Sequence, residues 1–158
     1  FLIADSTPAE VFTPEDFTDE HRMIGDTCRE YIDNEVVPNL PRLEAHEWDV
    51  ARDLVKKAGE LGLLGANIPE EFGGMALDQT SGCIIAEMVG RGSGFGSTYG
   101  AQTSIGLLPI LYWGSDELKK EWIPKIISGE VVSAYCLTES GVKCLKPSLR
   151  MPLFSLKY

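Results

Sequence analysis

The sequence predicts a mainly α protein: an up-and-down helical bundle over residues 17–129, with one or two short strands at its carboxy-terminal end. Three observations lead there. Apolar residues recur at the helical period through most of the first 130 positions. Ser, Thr and Asp stand as caps ahead of several of these periodic stretches. A β-rich run, Val131-Val132-Ser133-Ala134-Tyr135-Cys136-Leu137-Thr138, emerges only after them.

Residues 1–16 read as an irregular acidic arm. Its start, Phe1-Leu2-Ile3-Ala4-Asp5, has no basic region and no Met, the pattern of neither a signal peptide nor a complete natural terminus. Thr18 is a natural N-cap, with Asp19 and Glu20 in the first turn where the helix dipole favours negative charge. Ile24, Cys28, Tyr31, Ile32 and Val36 then share one stripe until Pro38 ends the helix. A second helix runs from about Asp49, with Val50, Leu54, Val55, Ala58 and Leu61 facing inward and Gly62 as its C′ residue. Pro69 to Gly74 is a loop, and a third helix begins near Asp78 and carries Ile84, Ile85, Met88 and Val89.

The fourth segment differs in kind. Gly92, Gly96, Gly100 and Ser104 recur every four residues, so a helix there presents a face with little or no side chain, suited to a close helix contact or to a ligand. Pro109 removes a backbone donor and frees the carbonyl of Ile105, which predicts a kink or break. Ser115 caps a fifth helix through Trp122, and Pro124 opens a short helical turn up to Gly129. The strand near 131–138 has no second strand pattern to pair with, so a frayed or intermolecularly paired edge is expected.

Composition bounds the function. At 158 residues, 44% of them hydrophobic, the chain suits one domain with a proper core, and no apolar run approaches the ~20 residues of a membrane span. A net charge of −10 argues against a nucleic-acid partner, since such proteins draw affinity from clustered Lys and Arg. The four cysteines, at 28, 83, 136 and 144, form no CxxC pair and suit neither a zinc site nor a disulfide framework, so free thiols in a reducing compartment are expected. The glycines between 90 and 100 satisfy GxGxxG in no register and follow no strand, which removes a dinucleotide loop. His46-Glu47-Trp48-Asp49-Val50 begins like HExxH but ends on Val50; His46 reads as a surface residue and His21 as solvated. The acidic pairs Glu15-Asp16, Asp19-Glu20 and Glu70-Glu71 could serve as catalytic carboxylates or metal ligands, but the first two more simply precede and charge a helix start, and no metal ligand set is expected.

Four segments, in this order and spacing, resemble the amino-terminal part of the acyl-CoA dehydrogenase family. They are Phe17 to Pro38; Leu61 through Pro69-Glu70-Glu71-Phe72-Gly73-Gly74; Ser104-Ile105-Gly106-Leu107-Leu108-Pro109-Ile110 with Gly114-Ser115-Asp116-Glu117-Leu118-Lys119; and Ile126-Ile127-Ser128-Gly129-Glu130 leading into Tyr135-Cys136-Leu137-Thr138-Glu139. The resemblance covers residues 17–141. It implies an FAD enzyme that oxidises the α,β bond of acyl-CoA thioesters, with a helical domain followed by a β-barrel and a second helical bundle. The α-proton goes to a glutamate far downstream and the β-hydride to the flavin, so no catalytic residue is expected in this chain. The resemblance implies that Tyr135, Leu137 and Thr138 line the flavin, that Thr98, Gly100, Ala101 and Ile105 face the acyl tail, and that Gly100 lies near its deep end. It further implies an electron-transfer flavoprotein or similar acceptor, a homo-oligomer in the full enzyme, and a bacterial cytoplasm or mitochondrial matrix.

Departures from the family set the expected limits. Residues 130–141 read as the start of the β-domain strand, but the family's proline and Gly-Ser-Asp turn are replaced by Ser140-Gly141-Val142-Lys143-Cys144. Residues 142–158 form a divergent tail whose last sixteen residues carry Lys143, Lys146, Arg150 and Lys157 and no acid, as a frameshift, alternative exon or assembly artefact would give. The chain is therefore expected to be inactive alone and to bind FAD weakly if at all. The competing reading is a non-catalytic helical module that binds a lipid or a protein through the glycine-lined face.

Overall fold

Helix α1 (Asp19–Tyr31) begins where a local cap permits: Thr18 is extended and its hydroxyl accepts the His21 amide N–H at 3.2 Å. The structure is a computed structural model that describes Thr7 and residues 11–135. Cys28, Tyr31, Ile32 and Val36 are buried as the helical period requires, and Ile24 packs partly buried against them. Pro38 does not end the helical path. The chain passes into a π turn at Ile32–Val36 and a 3-10 turn at Val37–Asn39, and then into the short α2 (Leu40–Glu44). Asn39 explains part of this continuity, because its side-chain amide donates to the Glu35 carbonyl at 2.8 Å inside the turn that the proline disrupts.

Helix α3 (Trp48–Glu60) buries Val50, Leu54, Val55 and Ala58. Leu61 departs from the expected stripe: it is the C-cap, with ψ at 0°, and 45% exposed. Gly62 follows in the left-handed conformation at φ 76°. The Pro69-Glu70-Glu71-Phe72-Gly73-Gly74 motif is a fold-back turn. Gly73 takes φ 85°, and a Cβ on Gly74 would meet the Ile68 backbone. The segment after it is tied to the segment before it by Met75 N–H to Gly65 O at 3.0 Å and Leu77 N–H to Ala66 O at 2.7 Å. Glu70 and Glu71 only open a 3-10 turn.

Helix α4 (Gln79–Gly90) is capped by Asp78, whose carboxylate accepts the Ser81 N–H at 2.8 Å, and it packs along α1 where Gly25 brings the axes close to Ile84. Helix α5 (Gly94–Gly100) runs into a second π turn, Ala101–Ile105, and breaks at Gly106-Leu107 before α6 (Leu108–Trp113), as Pro109 predicts. Helix α7 (Asp116–Ile127) is capped by Ser115 and, contrary to expectation, continues through Pro124 to Ile127. Burial of Ile123, Ile126 and Ile127 outweighs the one backbone bond the proline removes.

Two adjoining cores result. One gathers α1, α3, α4 and α5 around Ile32, Val55, Ile85 and Phe95; the other gathers α6 and α7 around Leu107, Ile110, Ile123 and Ile126. Among the described residues no strand forms. Residues 132–135 of the expected 131–138 strand run without a ladder partner, and 136–138 lie outside the described residues, as does the 142–158 tail. No helix among the described residues is long and apolar enough to cross a membrane.

Candidate functional site

A cleft of about 740 Å³ opens between α4, α5 with its π turn, the 63–68 turn and the start of α6. That volume lies within the range of small-molecule sites. Two of its wall positions leave space for it: among the described residues no neighbouring atom lies within 4 Å of a Cβ built on Gly90 or Gly100. Among the described residues no charged one lines it. Thr103 and Ser104 line it too, yet their hydroxyls donate back along the helix, Thr103 Oγ1 to the Tyr99 carbonyl at 3.0 Å and Ser104 Oγ to that of Gly100. Such i−4 bonds occupy the hydroxyl protons and leave a neutral, largely apolar wall. The Tyr99 hydroxyl donates to Leu63 O at 2.7 Å below the cleft, and burial pushes its pKa up.

The expected acyl-facing residues divide. Gly100 lines the cleft, whereas Thr98, Ala101 and Ile105 are not among its lining residues. Those three follow one another at i, i+3 and i+7 on another side of the helix, with Thr98 and Ala101 half-buried and Ile105 52% exposed. The glycine stripe divides in the same way. A Cβ on Gly92 would press on Val36 and the Val89 carbonyl, each at 3.2 Å, so that glycine serves packing while Gly100 leaves room. Of the expected flavin contacts, Tyr135 is half-buried at the end of the segment leaving α7, and Leu137 and Thr138 lie outside the described residues.

Two residues carry more than the sequence signalled. His21, expected to be solvated, is 8% exposed. Its Nδ1 accepts the Thr18 N–H at 3.2 Å, so Nε2 bears the proton and donates to Asp78 at 3.0 Å, linking the starts of α1 and α4. The partner lies 57 residues away, which no local pattern reveals. Gln102 is completely buried and holds the segment after α7. Its one sequence signal is a long amide among small neighbours.

Over its described residues the chain is thus a helical domain with a neutral, ligand-sized cleft along one broken helix and an extended exit segment. The family model described as "Acyl-CoA dehydrogenase, N-terminal domain" matches residues 18–130, and the chain belongs to that family. It is 50% identical over 141 residues to a probable acyl-CoA dehydrogenase of Bacillus subtilis, covering 89% of this chain and 24% of that protein. To the bovine mitochondrial short-chain specific acyl-CoA dehydrogenase it is 33% identical over 133 residues, covering 83% of this chain and 32% of the relative. Its fold superimposes with a TM-score of 0.84 on the crystal structure of an acyl-CoA dehydrogenase complexed with FAD from Bacillus anthracis, at 50% identity, covering 90% of this chain and 24% of that one. The chain thus spans a quarter to a third of the length of these relatives.

Proposed function

We propose that the chain forms the helical amino-terminal part of an FAD-dependent acyl-CoA dehydrogenase that introduces the α,β double bond into fatty acyl thioesters. In this reading residues 17–129 are the bundle, 130–141 begin the β-domain and 142–158 diverge. The observation that carries it is the juxtaposition on one helix. Gly100, Thr103 and Ser104 line the neutral cleft, while Gln102 between them grips the segment that leads to Tyr135. A site for an apolar tail and a route to the flavin therefore share one helical turn.

The described residues fit the two ligands unequally. The uncharged cleft suits an acyl tail, and Tyr135 suits the edge of a flavin ring; nothing charged in the cleft matches a pyrophosphate. When bound, FAD supplies the hydride-accepting centre. This chain's own part is to exclude water from the tail, to leave depth beside Gly100, and to present Tyr135, Leu137 and Thr138 to the ring. Of the four residues expected to meet the acyl chain, Gly100 is proposed to do so in the cleft; Thr98, Ala101 and Ile105 stand on another side of the helix, so their proposed contact is an alternative path for the tail rather than a second wall of this one. The base, the electron-transfer flavoprotein contact and the oligomer belong to the longer protein.

The experiment is an assay of the 158-residue chain with octanoyl- and palmitoyl-CoA, added FAD and an artificial electron acceptor. No enoyl-CoA above the no-protein control is expected, since loss of a general base alone costs on the order of 100- to 10,000-fold. Product formation would place a base within this chain and overturn the reading. The open cleft also favours the non-catalytic lipid-binding module, which a colourless longer protein that still binds acyl chains would support.

A further inference from the structure

The segment after α7 has no strand partner among the described residues, yet one side chain determines where it lies. Gln102 is fully buried in the π turn at Ala101–Ile105. Its Nε2 donates to Ile126 O and to Val131 O, both at 2.8 Å. Its Oε1 accepts the Ser133 N–H at 2.7 Å and the Ser133 hydroxyl at 3.1 Å. The two backbone carbonyls require the amide nitrogen on their side and the Ser133 N–H requires the oxygen on the other, so the orientation is fixed by the network. Both amide protons are used, and the single Ser133 hydroxyl proton is shared between Oε1 and the Gln102 backbone carbonyl at 3.3 Å.

A second feature acts on the same contact without hydrogen bonding. A Cβ on Gly106 would meet the Ser133 hydroxyl and come within 2.8 Å of Ser133 Cβ. Glycine therefore lets the segment lie against the helix break at the place where Gln102 grips it. The π turn belongs to the same device, since a widened turn changes the direction in which a following side chain points.

We infer that Gln102, with Gly106, is a positioning residue: it latches residues 131–133 to the bundle and so sets where Tyr135 stands for the flavin. The functional half of this inference rests on the flavin reading above. The latch joins three elements, α7 through Ile126 O, the exit segment through Val131 and Ser133, and the helix that lines the cleft. Movement of the exit segment is thereby tied to the wall of the cleft.

The test uses the full chain labelled with 3-fluorotyrosine, its Tyr135 signal assigned by Tyr135→Phe and its backbone followed by amide exchange. Gln102→Met keeps the volume and removes the bonds; Gly106→Ala keeps the bonds and wedges the contact. In both, the Tyr135 signal should move toward its position in the urea-unfolded chain while those of the buried Tyr31 and Tyr99 stay in place. In Gln102→Met the Ser133 amide should exchange about tenfold faster or more, the factor for one lost hydrogen bond. In the longer protein, which would carry the rest of the flavin site, titrated FAD should shift the Tyr135 signal and require at least about ten times more cofactor in either variant. An unmoved Tyr135 with Ser133 still protected overturns the latch. An FAD response equal in all three proteins overturns its positioning role. A Tyr135 signal in the longer protein that ignores FAD overturns the flavin reading, and the exchange data then decide the latch by themselves.

Discussion

Two glycines in helices should respond oppositely to alanine, and the difference can be worked from their neighbours. Helix propensity alone favours alanine over glycine by up to about 1 kcal/mol at either site. Gly100 has ordinary helical angles, φ −62° and ψ −41°, and nothing within 4 Å of an added Cβ. Gly100→Ala should therefore stabilise by about 0.5–1 kcal/mol. Gly59, in the last turn of α3, faces backbone instead: a Cβ there would meet the Ser128 carbonyl group and come within 2.9 Å of Gly129 N. Backbone cannot rotate aside as a side chain can. Gly129 itself is held at φ 75° with its own added Cβ 2.7 Å from Lys56 Cα, so α3 and the end of α7 have no slack. Overpacking costs about 1–3 kcal/mol, which exceeds the propensity gain. At roughly 2–4 °C per kcal/mol for a chain of this size, Gly100→Ala should melt about 1–4 °C higher and Gly59→Ala several degrees lower by circular dichroism. A Gly59→Ala protein that melts above the parent, or a Gly100→Ala protein that melts below it, refutes the packing argument.

Other consequences are open to measurement. Asp78 is held down to about pH 2, first by the Ser81 backbone N–H and then by hydrogen bonds from the Ser81 and His21 side chains. Because the folded value lies below the unfolded one, its contribution is complete above about pH 4 and is lost as pH falls toward 2; urea midpoints over that window should fall less steeply in Asp78→Asn. Burial pushes the Cys28 thiol up to about 11, whereas Cys83 is exposed on the cleft wall, so mass-mapped alkylation at pH 8 should modify Cys83 well before Cys28; the reverse order would contradict the placement of α4. In the longer protein, Gly100→Phe should shift the chain-length profile toward shorter acyl groups, each excluded methylene forfeiting about 0.8 kcal/mol of burial. An unchanged profile would remove Gly100 from the tail site.

What the sequence made legible was local. The caps at Thr18, Asp78 and Ser115 stand where residue type and spacing put them, because an N-cap needs only its own hydroxyl or carboxylate and an amide three residues on. The apolar stripe of α3 and the break before Pro109 are local in the same sense. What stayed hidden depends on partners remote in the chain. Pro38 reads as a helix end and Pro124 as the start of a separate helical turn, but both are passed because packing of Val36 in one case and of Ile123, Ile126 and Ile127 in the other holds the turns together. His21 is buried by Asp78, and Gln102 by Ile126, Val131 and Ser133.

The glycine stripe shows how far spacing alone can go. A four-residue recurrence establishes that one face lacks side chains, but the absence of a side chain means contact or room according to what lies opposite. Opposite Gly92 lies Val36, a core residue of the preceding π turn, and the glycine is filled by its neighbour. Opposite Gly100 lies nothing within 4 Å, and the cleft opens. Between these positions and Ser104 the helix widens into its π turn, which the residue pattern does not announce. That one turn places Ser104 on the cleft wall with its hydroxyl returned to Gly100, and Gln102 in the interior with its amide on the exit segment. One wall of the cleft and the hold on the chain at Val131 and Ser133 thus share the π turn.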